Sequence, residues 1–352
     1  SLKVGKKEMA AARKQVDRAF VRALNRSARQ VKQFHRQQRP SSWINVDRPG
    51  ALLGQIARPV DAAGIYVPGG KEGKTPLVST VLMCAIPASI SGVERIFMVT
   101  PPRSNGEVEP HLFVAARKAG VHEVFKVGSA WAVAALAYGT QTIPRANVIA
   151  GPGNIYVTLA KKLVAGNVGI DMIAGPSEIL IIADQTANPG FIAADLLSQA
   201  EHDPLSSAVL VTTSQSVADA VATALDSQLA ALDRRETAAA SLDRFGAILV
   251  VPDVATAIEF ANRIAPEHLE IQVKEPLSHI SAIHNAGAIF LGDYTPEPVG
   301  DYMAGPNHVL PTAGTARYAS ALSVDHFMKK TSLIQYSQEA FQKEARDIIR
   351  LA

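Results

Sequence analysis

The chain has 352 residues, of which 47% are hydrophobic and 19% charged, and these proportions are ordinary for a globular protein large enough for two domains. They exclude a disordered chain, and no apolar run approaches the roughly 20 residues that span a bilayer, so we expect no membrane partner. The single cysteine, Cys84, excludes an intrachain disulfide and favours a reducing compartment, the cytoplasm.

Basic residues are concentrated at the amino end, although the formal net charge is only +3. Twelve of the 35 lysines and arginines lie in residues 1–39. Such an arm could bind nucleic acid or act as a transit peptide. Apolar residues nevertheless recur there at spacings of three and four, which predicts one long helix with a solvated basic face and no nucleic acid partner. They are Met9, Ala12, Val16, Phe20, Leu24, Ala28, Val31 and Phe34.

From about residue 60, strand-like and helix-like segments alternate in two successive sets. The first set has predicted strands at 65–67, 95–99, 123–127 and 148–150, and helices at about 76–91, 108–119, 129–138 and 153–165. The second set has strands at 179–183, 208–212, 247–251 and 288–291, and helices at about 189–202, 214–231, 254–264 and 276–285. This alternation predicts an α/β protein with two parallel sheets, each covered by helices on both faces.

Two Gly/Pro turns carry short polar residues. Residues 151–156 read Gly-Pro-Gly-Asn-Ile-Tyr and include Asn154, and residues 171–178 read Asp-Met-Ile-Ala-Gly-Pro-Ser-Glu and include Ser177. Turns of this kind bring bare backbone close to a ligand. Since ligands of parallel α/β folds sit at the carboxyl ends of strands, we expect both turns to lie there.

Periodicity lapses after residue 291. Residues 292–311 form a long Gly/Pro loop with aromatic and apolar content, which favours an ordered, functional segment. It contains Asp301 and His308, either of which could bind a metal, contact a substrate or stabilise a turn. The tail from about 335 to 351 has the pattern of a charged amphipathic helix.

Gln199 and His202 lie three residues apart near the end of a predicted helix, so they share one face. Asn188-Pro189 is a typical start for that helix, and Asp203-Pro204 ends it. Two ligands on one face suit a metal that takes a third from elsewhere. A hydrogen-bonded surface pair is the alternative interpretation.

Glu267 and His268 follow Pro266 and precede an alternating segment, 269–273. Adjacent Glu and His side chains at this point could supply two proton-transfer groups of different pKa. The alternative is a helix-exit loop with exposed polar residues.

The two turns, together with Leu-Leu-Ser-Gln-Ala-Glu-His-Asp-Pro at 196–204 and Pro-Glu-His-Leu-Glu at 266–270, closely resemble histidinol dehydrogenases. The resemblance runs over essentially the whole chain. It implies oxidation of L-histidinol to L-histidine in two NAD-dependent steps through a bound aldehyde, with Zn²⁺, in a cytoplasmic homodimer.

The resemblance also implies two incomplete Rossmann-like parallel-sheet domains with a helical N-terminal arm and a C-terminal helical segment. Residues 1–65 plus 177–320 would form the first domain, 66–176 the second, and 321–352 the start of a dimer-contacting segment.

Roles carry over by position to eleven residues. Gln199, His202 and Asp301 resemble zinc ligands, and Glu267 and His268 resemble the acid–base pair. The substrate-contacting positions are Ser79, Ser177, Gln199, His202, Asp301 and His308. The dinucleotide-contacting positions are Tyr66, Trp131 and Asn154.

Three departures from the family pattern leave alternatives open. The helical segment with which the family sequence begins, before Ser1, is missing. The family has a further zinc-binding His and a substrate-binding Glu beyond the point at which this sequence stops, so we expect the chain to be the middle of a longer protein. Many members have Gln where this chain has Trp131. A relative that oxidises another small polar alcohol, such as a sulfonated propanediol, and a non-catalytic scaffold are the alternative functions.

Overall fold

A computed structural model describes residues 2–70 and 76–352 of the chain. In chain order its strands are β1 (Trp43–Asn45), β2 (Ala51–Pro59), β3 (Ala62–Tyr66), β4 (Arg95–Thr100), β5 (Glu123–Lys126), β6 (Val148–Ala150), β7 (Gly169–Ile170), β8 (Glu178–Ala183), β9 (Ser207–Thr212), β10 (Gly246–Val250), β11 (His268–Gln272), β12 (Ala288–Leu291) and β13 (Met328–Tyr336).

The helices are α1 (Lys6–Gln15), α2 (Arg18–Arg36), α3 (Val78–Ser91), α4 (Pro110–Ala119), α5 (Ser129–Tyr138), α6 (Ile155–Val164), α7 (Pro189–Ala200), α8 (Gln215–Ala231), α9 (Arg235–Phe245), α10 (Val254–Ile264), α11 (Glu297–Val299) and α12 (Gln338–Leu351). None of them, within the described ranges, is long and apolar enough to cross a membrane.

The amino-terminal arm is two helices, so the prediction of one long helix is wrong. Val16 is extended, with φ −101° and ψ 130°, and this interrupts the helical path. Asp17 then caps α2 by accepting a hydrogen bond from the Phe20 amide at 2.9 Å. The apolar stripe continues across the break because Ala12, Leu24 and Ala28 are all buried.

The first parallel sheet has the strand order β5-β4-β3-β6-β7. Helices α3 and α4 pack on one face, in a core that also takes in α1 and α2, and α5 and α6 pack on the other face. Central strand β3 is buried along its whole length, as expected for a strand covered on both faces. The alternation of segments therefore predicted four of the five strands and the helices α3 to α6, but not the two-residue edge strand β7.

The second parallel sheet has the order β10-β9-β8-β11-β12. Helices α7 and α8 contribute to one core, and α10 contributes to the core on the opposite face. In β11, Leu269 and Ile271 point into the α10 core, so the alternate residues His268, Glu270 and Gln272 point toward α7. The helix predicted at 276–285 is a 3₁₀ helix, Pro276–Ala282.

A third sheet is antiparallel and has the order β1-β2-β13. Nine residue pairs join β13 to β2, from Met328 opposite Pro59 to Tyr336 opposite Ala51. This sheet, like α9, is absent from the pattern-based prediction. Its strands β1 and β13 are mostly exposed, so they lack the apolar runs that mark buried parallel strands.

The loop at 292–311 is ordered, as expected, and contains two short helical segments. Residues Glu297–Val299 form α11, and a π-helical turn, Gly300–Ala304, follows directly. Glu297 and Asp301 are thus four residues apart on one helical stretch. Farther on, the predicted tail helix is confirmed as α12, although β13 occupies its first two expected residues.

Candidate active site

The candidate site lies at the amino ends of β8 and β11 in the second parallel sheet. The turn at 171–178 leads into β8, and Glu267 and His268 lie at the start of β11. The turn at 171–178 also directly follows β7, and the turn at 151–156 follows β6. Both Gly/Pro turns therefore lie at the carboxyl ends of neighbouring parallel strands of the first sheet, as expected.

Glu267 is buried at the start of β11, with 7% of its surface exposed. Its Oε2 accepts a hydrogen bond from the Glu178 amide at 3.0 Å and lies 3.6 Å from His268 Nδ1. Burial raises the pKa of the Glu267 carboxyl well above its ordinary value, more than the Glu178 hydrogen bond lowers it. A buried carboxyl with a raised pKa beside a histidine is a typical candidate for a general base or acid.

His268 is held in one tautomer by the strand beside it. Its Nδ1 donates a hydrogen bond to the Glu178 carbonyl oxygen at 3.0 Å, so Nε2 carries the free lone pair of the neutral ring. That nitrogen lies 4.0 Å from Glu297 Oε1. The ring centroid is 5.8 Å from that of Phe290. His268 therefore directs one available nitrogen toward the loop that carries Asp301.

Helix α7 brings Gln199 into the same region. Asn188 caps the helix by accepting hydrogen bonds from the amides of Gly190 and Phe191. Gln199 is fully buried; its Nε2 donates to Glu297 Oε2, and its Oε1 has no partner among the described residues. A buried amide oxygen without a partner is rare in proteins and fits a metal or ligand contact.

His202 follows the end of α7 and is exposed. Its Nδ1 donates to the Ser198 carbonyl oxygen at 2.6 Å, which leaves Nε2 as the free nitrogen. A hydrogen bond of this kind orients a histidine for metal binding. His202 is also near enough to Asp301 to lower the pKa of that carboxyl.

The loop residue Asp301 completes the cluster. Burial, followed by the nearby Glu297 carboxyl, raises the pKa of Asp301 to about 7, while His268 and His202 act in the opposite direction. One ligand atom each from His268, Glu297 and Asp301 lies within 4.8 Å of the other two. This trio shares Asp301 with the predicted zinc set of Gln199, His202 and Asp301.

A cavity of about 180 Å³ adjoins the cluster and is lined by Phe290, Asp301 and His308, among others. His308 Nε2 is buried in it without a partner within the described part of the chain. Burial lowers the pKa of His308 to about 4, so its ring is neutral at physiological pH. A neutral imidazole can donate or accept a hydrogen bond, as a substrate contact would require.

Two predicted substrate positions are linked to this cluster through residues adjacent to it in sequence or in a cavity. Ser177 immediately precedes Glu178, whose backbone holds both Glu267 and His268. Ser79, at the start of α3, lines a second cavity of about 110 Å³ together with Tyr302, the neighbour of Asp301.

The three predicted dinucleotide positions lie on the first parallel sheet and its helices. Tyr66 is buried, and its hydroxyl accepts a hydrogen bond from the Ser129 amide at 3.0 Å. Trp131 is 77% exposed on α5. Asn154 caps α6 by accepting a hydrogen bond from the Val157 amide.

Sequence reasoning missed Glu297 and Glu178. Glu297 is 6% exposed and contacts Gln199, Ser198 and His268. The only signal in the sequence is its place between two prolines in the long loop. Glu178 contributes mainly through its backbone amide and carbonyl groups. Because these groups do not depend on the residue type, the sequence does not reveal this role.

Comparison with known proteins gives concordant results. Residues 1–352 match the family model described as histidinol dehydrogenase. A histidinol dehydrogenase of Desulfotalea psychrophila is 54% identical over 352 residues, covering 100% of this chain and 81% of that protein. One of Carboxydothermus hydrogenoformans is 51% identical, covering 100% and 82%. The crystal structure of histidinol dehydrogenase from Elizabethkingia anophelis has a TM-score of 0.95 at 38% identity, covering 100% of this chain and 81% of that one.

Proposed function

Because the chain belongs to the histidinol dehydrogenase family, we propose that it oxidises L-histidinol to L-histidine in two successive NAD-dependent steps through a bound aldehyde. The observation that carries the proposal is the buried cluster at the start of β11. There, Glu267 and His268 face Gln199 and Asp301 beside a cavity. These groups are of the kinds that transfer protons and anchor a polar substrate.

The donor set suits zinc. Gln199 supplies a buried oxygen without a protein partner, His202 a free Nε2, and Asp301 a carboxylate. A histidine nitrogen and a carboxylate are ligands that zinc takes in enzymes, and the neutral Gln199 oxygen is a weaker third, so positions remain for substrate atoms. Bound there, zinc would act as a Lewis acid that holds the amine and imidazole nitrogens of histidinol. The role of the three residues is thus to fix the substrate in one orientation.

His268 takes the proton of the substrate hydroxyl. Its Nδ1 is committed to the Glu178 carbonyl, so the proton goes to Nε2. As that proton leaves the oxygen, NAD would accept the hydride that the same carbon gives up, and the alcohol becomes an aldehyde. Glu267 then takes a proton from water, whose oxygen adds to the aldehyde carbon while His268 returns its proton to the aldehyde oxygen, which gives the hydrate. In the second oxidation His268 takes a hydroxyl proton of the hydrate, and a second NAD would accept the hydride that the carbon gives up, which yields the acid.

NAD supplies the hydride acceptor, and Tyr66, Trp131 and Asn154 are the residues that would hold it. The turn at 151–156 packs directly against Tyr66, because Gly151 has φ +123° and a Cβ there would lie 2.0 Å from the Tyr66 carbonyl oxygen. Trp131 offers an exposed indole face on which a planar ring can stack. We further propose that the enzyme works as a cytoplasmic homodimer.

The test is the ratio of NADH formed to histidine formed when the protein is incubated with L-histidinol, NAD and zinc. We expect two NADH per histidine, loss of turnover with a chelator, and recovery with zinc. A ratio of one, or equal turnover of a small polar alcohol without an imidazole, would contradict the proposed substrate.

The variant Glu267→Gln separates the two oxidation steps in the same assay. We expect it to slow histidine formation by about 100-fold or more, because an amide cannot take the proton of water. The exposed Glu275→Gln is the matched control and should retain both steps. Normal histidine formation by the Glu267 variant would remove this residue from the mechanism.

A further inference from the structure

The amide of Gln199 has two ends of nearly the same shape but opposite chemistry. Only the Oε1 end can bind a metal, whereas the Nε2 end is a donor. The side chain is fully buried, so solvent cannot satisfy whichever end is turned inward. Zinc binding through Gln199 therefore requires a neighbouring group that fixes the amide with Oε1 toward the metal.

Glu297 is the neighbouring group that fixes the orientation of the amide. A carboxylate accepts hydrogen bonds and donates none, so the end of Gln199 that faces it must be the NH₂ group. Gln199 Nε2 donates to Glu297 Oε2, and Oε1 is left without a protein partner among the described residues. The flipped amide would place its oxygen against the carboxylate, losing this bond and adding repulsion.

The carboxylate of Glu297 is itself held in place. Ser198 Oγ donates to its Oε2 at 3.1 Å, and its side chain is 8% exposed. Glu297 begins α11, and Asp301 lies four residues later on the same helical stretch. One short segment thus carries both a proposed ligand and the group that orients a second one.

We propose that Glu297 is a positioning residue that fixes the Gln199 amide with its oxygen toward zinc. The proposal rests on the zinc site described under the proposed function. Glu297 is not a ligand in this arrangement, although its carboxyl lies close to those of the cluster. Partners of metal ligands typically change metal affinity by about 10- to 100-fold when they are removed.

The experiment is a double-mutant cycle on zinc affinity, measured by competition with a chromogenic chelator. The four proteins are wild type, Glu297→Gln, Gln199→Ala and the double variant. Glutamine at 297 has the shape of glutamate, yet it offers a donor as well as an acceptor and so no longer dictates the orientation of Gln199. We expect Glu297→Gln to weaken zinc binding by about tenfold in the wild-type background and by less than about threefold in the Gln199→Ala background.

Asp195→Asn is the matched control. Asp195 lies one turn before Gln199 on α7 and is also buried, but its Oδ2 accepts a hydrogen bond from Gln272 Nε2 at 3.3 Å. It should retain wild-type zinc affinity. The cobalt-substituted proteins provide a second readout, since loss of the Gln199 oxygen changes the visible absorption bands of the metal, whereas a purely structural defect lowers their intensity only.

A loss smaller than about fivefold for Glu297→Gln would overturn the proposal, as would an equal loss in both backgrounds, which would make Glu297 a ligand or a simple charge. Wild-type affinity in Gln199→Ala would instead show that the zinc site itself is placed wrongly. The two failures are therefore distinguishable.

Discussion

Removing Lys161 should strongly destabilise the protein, because its ion pair with Asp171 lies in the interior. Their side chains are 3% and 0% exposed. Lys161 Nζ also donates to the Gly151 carbonyl oxygen at 3.1 Å, while Asp171 Oδ2 accepts from the Gly151 amide at 2.7 Å. A second oxygen of Asp171 accepts from the Met172 amide at 2.7 Å. The pair thereby holds both polar backbone groups of Gly151.

The variant Lys161→Met keeps the length of the side chain but leaves the Asp171 carboxylate buried with two amide donors and no cation. Breaking a buried pair in this way costs about 3–5 kcal/mol. That is a large share of the roughly 5–15 kcal/mol by which folded domains are stable. Adding Asp171→Asn removes the stranded charge, and the oxygen of Asn can still accept one of the two amide bonds, so the double variant should be more stable than Lys161→Met.

The free energy of unfolding is measured by guanidinium titration, followed by circular dichroism, with the slope of each transition compared. Arg263→Met is the matched control, since Arg263 pairs with Glu259 at 3.8 Å but both side chains are more than 70% exposed. It should have no measurable effect. A loss below about 1 kcal/mol for Lys161→Met, or a double variant less stable than the single one, would refute the reasoning.

Three further predictions concern other parts of the chain. Gly151→Ala should lower the melting temperature sharply and weaken NAD binding in a titration, because its Cβ would lie 2.0 Å from the Tyr66 carbonyl oxygen. Burial lowers the pKa of His308 from 6.5 to about 4, so between these pH values His308 binds fewer protons in the folded protein than in the unfolded chain. The free energy of unfolding should therefore fall as the pH drops from about 6.5 to 4. His308→Gln should flatten that slope in denaturant titrations at several pH values. Trp131→Gln should abolish quenching of tryptophan fluorescence by NAD, whereas Trp43→Phe should preserve it, and quenching retained in Trp131→Gln would place the dinucleotide elsewhere.

The buried parallel strands were the most predictable part of the fold. Strand β6 has the bounds predicted for it and is buried throughout, because a strand covered on both faces reads as a short apolar run. Strand β12, at the edge of its sheet, also has its predicted bounds. The antiparallel sheet was not predictable in the same way. Its strands β1 and β13 alternate little between buried and exposed, and the residue pairs that join β13 to β2 are 269 to 285 positions apart in the chain.

Residues of the candidate site could be predicted only where a chemically suitable side chain also belongs to a recognisable sequence motif. Glu267, His268 and Asp301 carry groups that proton transfer or metal binding needs, and the structure brings them together. Glu297 carries the same kind of group, yet a carboxylate between two prolines in a loop is also typical of a solvated turn. Its role depends on the approach of the loop to α7, a tertiary contact that no local pattern contains.

Strand β2 lies in the middle of its sheet, with β1 from a few residues earlier on one side and β13 on the other. During synthesis β1 and β2 leave the ribosome early, and both parallel sheets must follow before β13 does. One edge of β2, nine residues long, therefore stays unpaired through most of translation, and an open edge is a template for non-native pairing between chains. Correct assembly of this protein depends on protecting that edge until its last strand arrives.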